Sequence, residues 1–180
     1  MGPAIYSLCQ KPVIGAVMWM ATLCAFPPLI SRLPLSLEEA QATATSEFTV
    51  PVDKVYQLEL EFEFPTVQAR LQDRVAGTRF DESCLDEAVP RDPSWAGRAG
   101  AGRVIPLRLV IRRQADRAVV IDRTFQSRCA LGHADRRKWR AVGAVELARG
   151  DYLAQITNLQ PQDGLDGVRT TASLTAGQGK

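Results

Sequence analysis

The chain is poor in histidine, cysteine, lysine and net charge, and each scarcity removes a class of function. With His133 alone, no site can be built on two imidazoles, and a Ser/His/Asp arrangement would have to centre on that one position. No phosphate loop, dinucleotide fingerprint, zinc spacing or nucleophile elbow occurs. The formal net charge of +2 is unchanged when the first 44 residues are set aside, because Lys11 and Arg32 leave together with Glu38 and Glu39. Global charge therefore selects no partner. Of the basic residues 18 are Arg and 4 are Lys, a bias that GC-rich coding produces as readily as guanidinium chemistry, so it carries no functional weight.

Long apolar runs are also missing, with one exception at the N-terminus. Val13 to Ile30 (VIGAVMWMATLCAFPPLI) carries no charge and lies between Lys11 and Arg32. Pro27 and Pro28 cannot continue a helix, so the usable apolar helix ends at Phe26, which is the length of a signal-peptide core. A spanning helix wants about 20 residues. Three readings follow: a cleaved signal, a retained short anchor, or lipidation at Cys24, the last opposed by the bulky Leu23 before it. Each places the chain in the cell envelope, in the periplasm or on the periplasmic face of a membrane, and associates it with the membrane through this segment. Nucleic acid is then not an expected partner.

Cys9 and Cys24 belong to that segment, which leaves Cys84 and Cys129 for an oxidising compartment. A bridge between them is expected, and closing a loop of about 45 residues would stabilise the fold by up to about 4 kcal/mol in the chain-entropy account. Residues 27–46, including LPLSLEEAQATATS, are small, polar and broken by proline, and are expected as a linker. The last residues, 177–180, read as a tail.

Between these ends lies one domain, expected over 47–176. Tyr56, Leu58, Leu60, Phe62 and Phe64 alternate with Gln57, Glu59, Glu61 and Glu63, so a strand with one buried face and one acidic wet face is predicted. The glutamates fall about 7 Å apart along such a strand, too far for one metal ion unless other elements converge on them. Pro65 ends the strand, and Thr66 caps a short helix with Val67, Leu71 and Val75 on one stripe and Gly77 at its stop. Arg79 to Gly102 is rich in proline, glycine and charge and reads as a long loop. Its Asp81, Glu82, Asp86 and Glu87 lack the order of a calcium loop. Further strands are predicted at Phe48–Val52, Ile105–Arg112, Ala118–Phe125, Ala141–Leu147, Tyr152–Thr157 and Thr170–Thr175, with turns at Gln114–Asp116 and Arg149–Asp151. About seven strands and one short helix indicate an all-β chain, an antiparallel β-sandwich, with barrel closure as the alternative.

One segment carries charge beside an aromatic ring: Gly132 to Arg140 (GHADRRKWR). It reads as an exposed connection between strands. Arg136, Arg137, Lys138 and Trp139, together with Trp95 in the long loop, are the candidate partner-binding residues, because cations beside an aromatic suit an acidic or phosphate-bearing surface. No cofactor, no metal and no catalytic residue is expected.

The order TVPVDKVYQLELEF, IPLRLVIRR, RGDYLAQITNLQPQDGLDGVRTTASL resembles the bacterial domain-of-unknown-function family numbered 5625, over about Phe48 to Thr175. The resemblance implies a short envelope protein or lipoprotein with one β-rich domain, and it brings no catalytic residues with it. The poor lipobox at Cys24 and the long loop around Trp95 depart from that layout. Together these features lead us to expect a non-catalytic exported module that binds another protein, in the manner of an inhibitor or an immunity protein. The alternative is a small periplasmic hydrolase with a site near His133.

Overall fold

Alternation in one strand organises the molecule. In the computed structural model, which describes residues 28–77, 102–127 and 129–176, Lys54–Glu63 is a strand whose even-numbered side chains from Tyr56 to Phe62 are buried. It forms the middle of a sheet because both its neighbours are long and antiparallel to it. In chain order the strands are β1 (Ile30–Pro34), β2 (Thr43–Val50), β3 (Lys54–Glu63), β4 (Ile105–Arg113), β5 (Val119–Ser127), β6 (Cys129–Ala134), β7 (Arg137–Leu147), β8 (Gly150–Asn158) and β9 (Arg169–Ala176), with one helix, α1 (Val67–Gln72). Two antiparallel sheets of order β1-β9-β3-β7-β6 and β2-β8-β4-β5 pack into an all-β sandwich. Leu58, Leu60 and Phe62 from one sheet and Leu107, Leu109, Ile111, Ala154 and Ile156 from the other fill the space between them.

Two tyrosines hold corners where the chain changes sheets. The Tyr56 hydroxyl donates to the Val52 carbonyl at 3.0 Å, and the Tyr152 hydroxyl donates to the Ala148 carbonyl at 2.9 Å. Each bond satisfies a carbonyl that the ladder has released at the crossing. Gly143 serves the packing, since any Cβ there would collide with the Phe125 ring from the facing sheet. Asn158, fully buried, donates from Nδ2 to the Leu37 and Glu39 carbonyls and so ties the β1–β2 connection to the end of β8.

Five expectations need correction. Residues 27–46 are not a linker: from Ile30 they carry β1 and the first half of β2, and Leu35 and Leu37 are core residues. Polar alternation with alanine and threonine concealed the first half of β2, while β1 is short and bulged between Ile30 and Leu33. Strands β1 and β6 raise the count to nine. Thr66 caps α1 as expected, its Oγ1 accepting from Ala69 N, but the helix buries nothing: Val67 is 42% and Leu71 61% exposed. Asp73 turns extended after less than two turns, so the helical period never reaches Val75, which is buried on its own account. The charged segment at 132–140 is a β-hairpin between β6 and β7, and Arg149–Asp151 ends a crossing between sheets, with Gly150 and Asp151 already in β8, instead of forming a hairpin turn. The N-terminal segment up to Phe26, the long loop with Cys84 and Trp95, and the 177–180 tail lie outside the described residues. Of Cys129 only the strand position is described.

Candidate functional site

The outer face of the five-stranded sheet is where the charged residues converge. Because β3 alternates, Glu59, Glu61 and Glu63 share the face opposite the core, and register decides what lies beside them. Glu63 stands opposite Arg137 of β7 on one side and Arg169 of β9 on the other, and Glu61 stands opposite Trp139 and Thr171. Arg32 reaches in from the edge strand. Its backbone sits at φ 51°, in the left-handed region that few non-glycine residues occupy, at the bulge of β1.

The result is a shared network in place of isolated pairs. Arg32 Nη2 lies 3.1 Å from Glu61 Oε1 and 3.2 Å from Glu63 Oε2, and Arg169 Nη1 lies 3.2 Å from Glu63 Oε2. Arg137 contributes Nε at 3.5 Å from Glu61 Oε1 and Nη2 at 3.7 Å from Glu63 Oε1, while Arg136 Nη2 is 3.9 Å from the latter. Trp139 Nε1 donates to Glu61 Oε2 at 3.0 Å. Glu61 Oε1 is buried and takes its two charge contacts without a well-aligned hydrogen bond. Side-chain exposure separates the two signs: 13% and 16% for Glu61 and Glu63, against 43%, 41%, 47% and 73% for Arg32, Arg137, Arg136 and Arg169. What solvent meets is guanidinium. Farther along β3, burial raises the Glu59 carboxyl above its ordinary range, with the hydrogen bond from Thr175 acting against it.

The same segment of β7 sends its alternate residues inward. Lys138, 1% exposed, pairs with Asp73 at 2.6 Å, and Asp73 Oδ1 also accepts from the Val75 and Ala76 backbone N–H groups. Arg140 donates from Nη1 to the Val75 carbonyl at 2.8 Å and from Nη2 to the Ser127 carbonyl at 2.5 Å. Its Nε has no hydrogen-bond partner among the described residues. Desolvation pulls the Arg140 guanidinium below its ordinary pKa, opposed by the charge of Asp73. Val75 O also accepts from Arg103 N, and Gly102 at φ 68° passes so close that a Cβ would crowd the Val75 and Ala76 carbonyls. This interior cluster joins residues 73–76 to residues 102–103, the two chain segments on either side of 78–101. Its work is structural.

Of the expected partner-binding residues, the structure brings Arg136, Arg137 and Trp139 together on the outer face and places Lys138 inside. Trp95 lies outside the described residues. His133 is exposed on the edge strand β6, opposite Lys138 in register, and makes no hydrogen bond to a serine or carboxylate among the described residues. Among the described residues no group of His, Cys, Asp and Glu could hold a metal ion. Arg32, Arg169 and Asp73 were not singled out in the sequence. For Arg169 a signal existed, since it alternates with Thr171 and Ser173 along β9 and so shares their face.

All of these residues lie within 32–176, the stretch that matches the family described as a domain of unknown function, DUF5625. The chain belongs to this family. The match thus starts at Arg32, within β1, holds all of β2, and ends with β9 at Ala176. No curated protein matches the chain. Among solved structures, a protein from Sulfurospirillum deleyianum is similar, with a TM-score of 0.63 at 15% identity, covering 85% of this chain and 100% of that one. At that identity the likeness concerns the fold alone.

Proposed function

We propose that the chain is a non-catalytic module of the cell envelope, exported through its N-terminal segment, that binds another protein through the outer face of the five-stranded sheet, as an inhibitor or immunity protein does. One observation carries the reading: Arg32, Arg136, Arg137, Arg169 and Trp139, drawn from three strands and a turn, are gathered on one exposed face and held there by two largely buried glutamates. Arginine and tryptophan are the side chains that most often dominate protein interfaces. Fixing them before contact lowers the entropy lost on binding. The absence of catalytic motifs in the sequence and the solvent-exposed position of His133 are in keeping with a binding role.

Photo-crosslinking in the native envelope tests it. A benzophenone side chain is placed at Ala134, which is exposed and directly opposite Arg137, and a control at Val119 on the edge of the other sheet. A discrete heavier adduct from position 134 with none from 119 is expected. No adduct from 134, or the same adducts from both positions, would refute the reading.

A further inference from the structure

We infer that the partner presents carboxylates to this face, as a protein surface carrying Asp or Glu side chains about 10 Å apart, the distance between two strands separated by one. The inference rests on the binding-module reading and specifies its chemistry. A guanidinium has five N–H donors in a planar fork. Towards Glu61 and Glu63, Arg32 engages through Nη2 and Arg169 through Nη1, each from one edge of its fork. The glutamates orient the forks from beneath, and with Arg169 73% exposed its outer donors face solvent. A carboxylate arriving from outside meets guanidinium groups already in position for paired hydrogen bonds.

Charge pattern chooses a protein over an anionic membrane surface. Four arginines stand over two glutamates, Glu61 and Glu63, and the row across the sheet reads Arg169, Glu63, Arg137, positive, negative, positive. Lipid headgroups reward dense clusters of one sign, on the order of four to eight basic residues. A mixed row beside Trp139 instead matches a surface that alternates acid with neutral or apolar groups, and it rejects partners whose acids fall out of step. The unusual backbone of Arg32 fits the same purpose, since a left-handed residue at the bulge is what carries its side chain across β9 to Glu61.

The test uses the full chain purified from the envelope fraction, with poly-L-glutamate as the probe. Titration by calorimetry is compared for the wild type, Arg137→Ala/Arg169→Ala and Arg169→Lys. Phosphatidylglycerol vesicles are compared with phosphatidylcholine vesicles, so that any insertion of the N-terminal segment is common to both, and inorganic phosphate is titrated separately. Expected are poly-L-glutamate binding that weakens tenfold or more in the double variant, an intermediate loss for Arg169→Lys because the planar fork is gone, and equal vesicle binding by all proteins. Equal thermal midpoints establish that the variants are folded. The inference is overturned if poly-L-glutamate does not bind or binds all variants alike, or if the arginines govern binding to phosphatidylglycerol or phosphate instead. Should the Ala134 adduct form in the wild type and persist in Arg169→Glu, the carboxylate chemistry fails while the binding module stands; if the wild type forms no adduct, the module reading itself fails.

Discussion

The two sides of β7 use the same kind of side chain for opposite ends. Arg137 and Trp139 point outward, half-exposed, to glutamates that several cations share, whereas Lys138 and Arg140 point inward and are sealed from water. Position on the pleat, not charge, decides which cation is structural and which is available to a partner. A buried pair must be matched atom for atom, because an uncompensated charge in the interior costs several kcal/mol. An exposed network is worth little to stability, and its members remain free to exchange partners.

Breaking the inner side is therefore expected to have the largest effect. Asp73→Ala leaves Lys138 without its carboxylate and frees the Val75 and Ala76 N–H groups, and a loss of about 3–5 kcal/mol is expected in urea denaturation. Lys138→Met leaves Asp73 with its backbone donors, so the cost should be smaller, about 1–3 kcal/mol. If the two costs were equal, the backbone contacts of Asp73 would carry no weight.

On the outer side, Arg169→Ala should change stability by less than about 0.5 kcal/mol. Glu63→Gln should cost under about 1 kcal/mol while loosening the arginines it orients, so its larger effect should appear in adduct yield from Ala134. Costs comparable to that of Asp73→Ala would erase the distinction between the two sides.

The smallest effect concerns pH. Burial raises Glu59 above its ordinary 4.5, so the folded state holds its proton to higher pH than the unfolded chain. Its favourable contribution is complete below 4.5 and is lost as pH rises through the folded value. Glu59→Gln keeps an acceptor for Thr175 and removes that decline. Urea midpoints of the wild type should fall relative to those of the variant as pH rises from 4.5 towards neutrality; parallel curves would contradict it.

The sandwich was legible because β3, β4 and β8 bury alternate residues, and Thr66 announced the helix cap. β1 and the first half of β2 were not, because a five-residue bulged strand and an Ala/Thr/Ser run at a sheet edge show little apolar alternation. The candidate face was half legible. Arg136, Arg137 and Trp139 stood out as charge beside an aromatic, yet their relation to Glu61 and Glu63 depends on strand order, which one sequence does not display. Reading 137–140 as a strand would have separated Lys138 from its neighbours, since the period of two alone sends it to the core. Asp73 gave no local sign, being matched to Lys138 across 65 positions of sequence.

The division of labour across β7 is tested most directly by measuring adduct yield from Ala134 and urea midpoint on the same two variants, Arg137→Ala/Arg169→Ala and Lys138→Met. The outer pair is expected to lose the adduct at an unchanged midpoint, and Lys138→Met to lower the midpoint while any protein still folded forms the adduct. An outer variant that keeps the full adduct would contradict it.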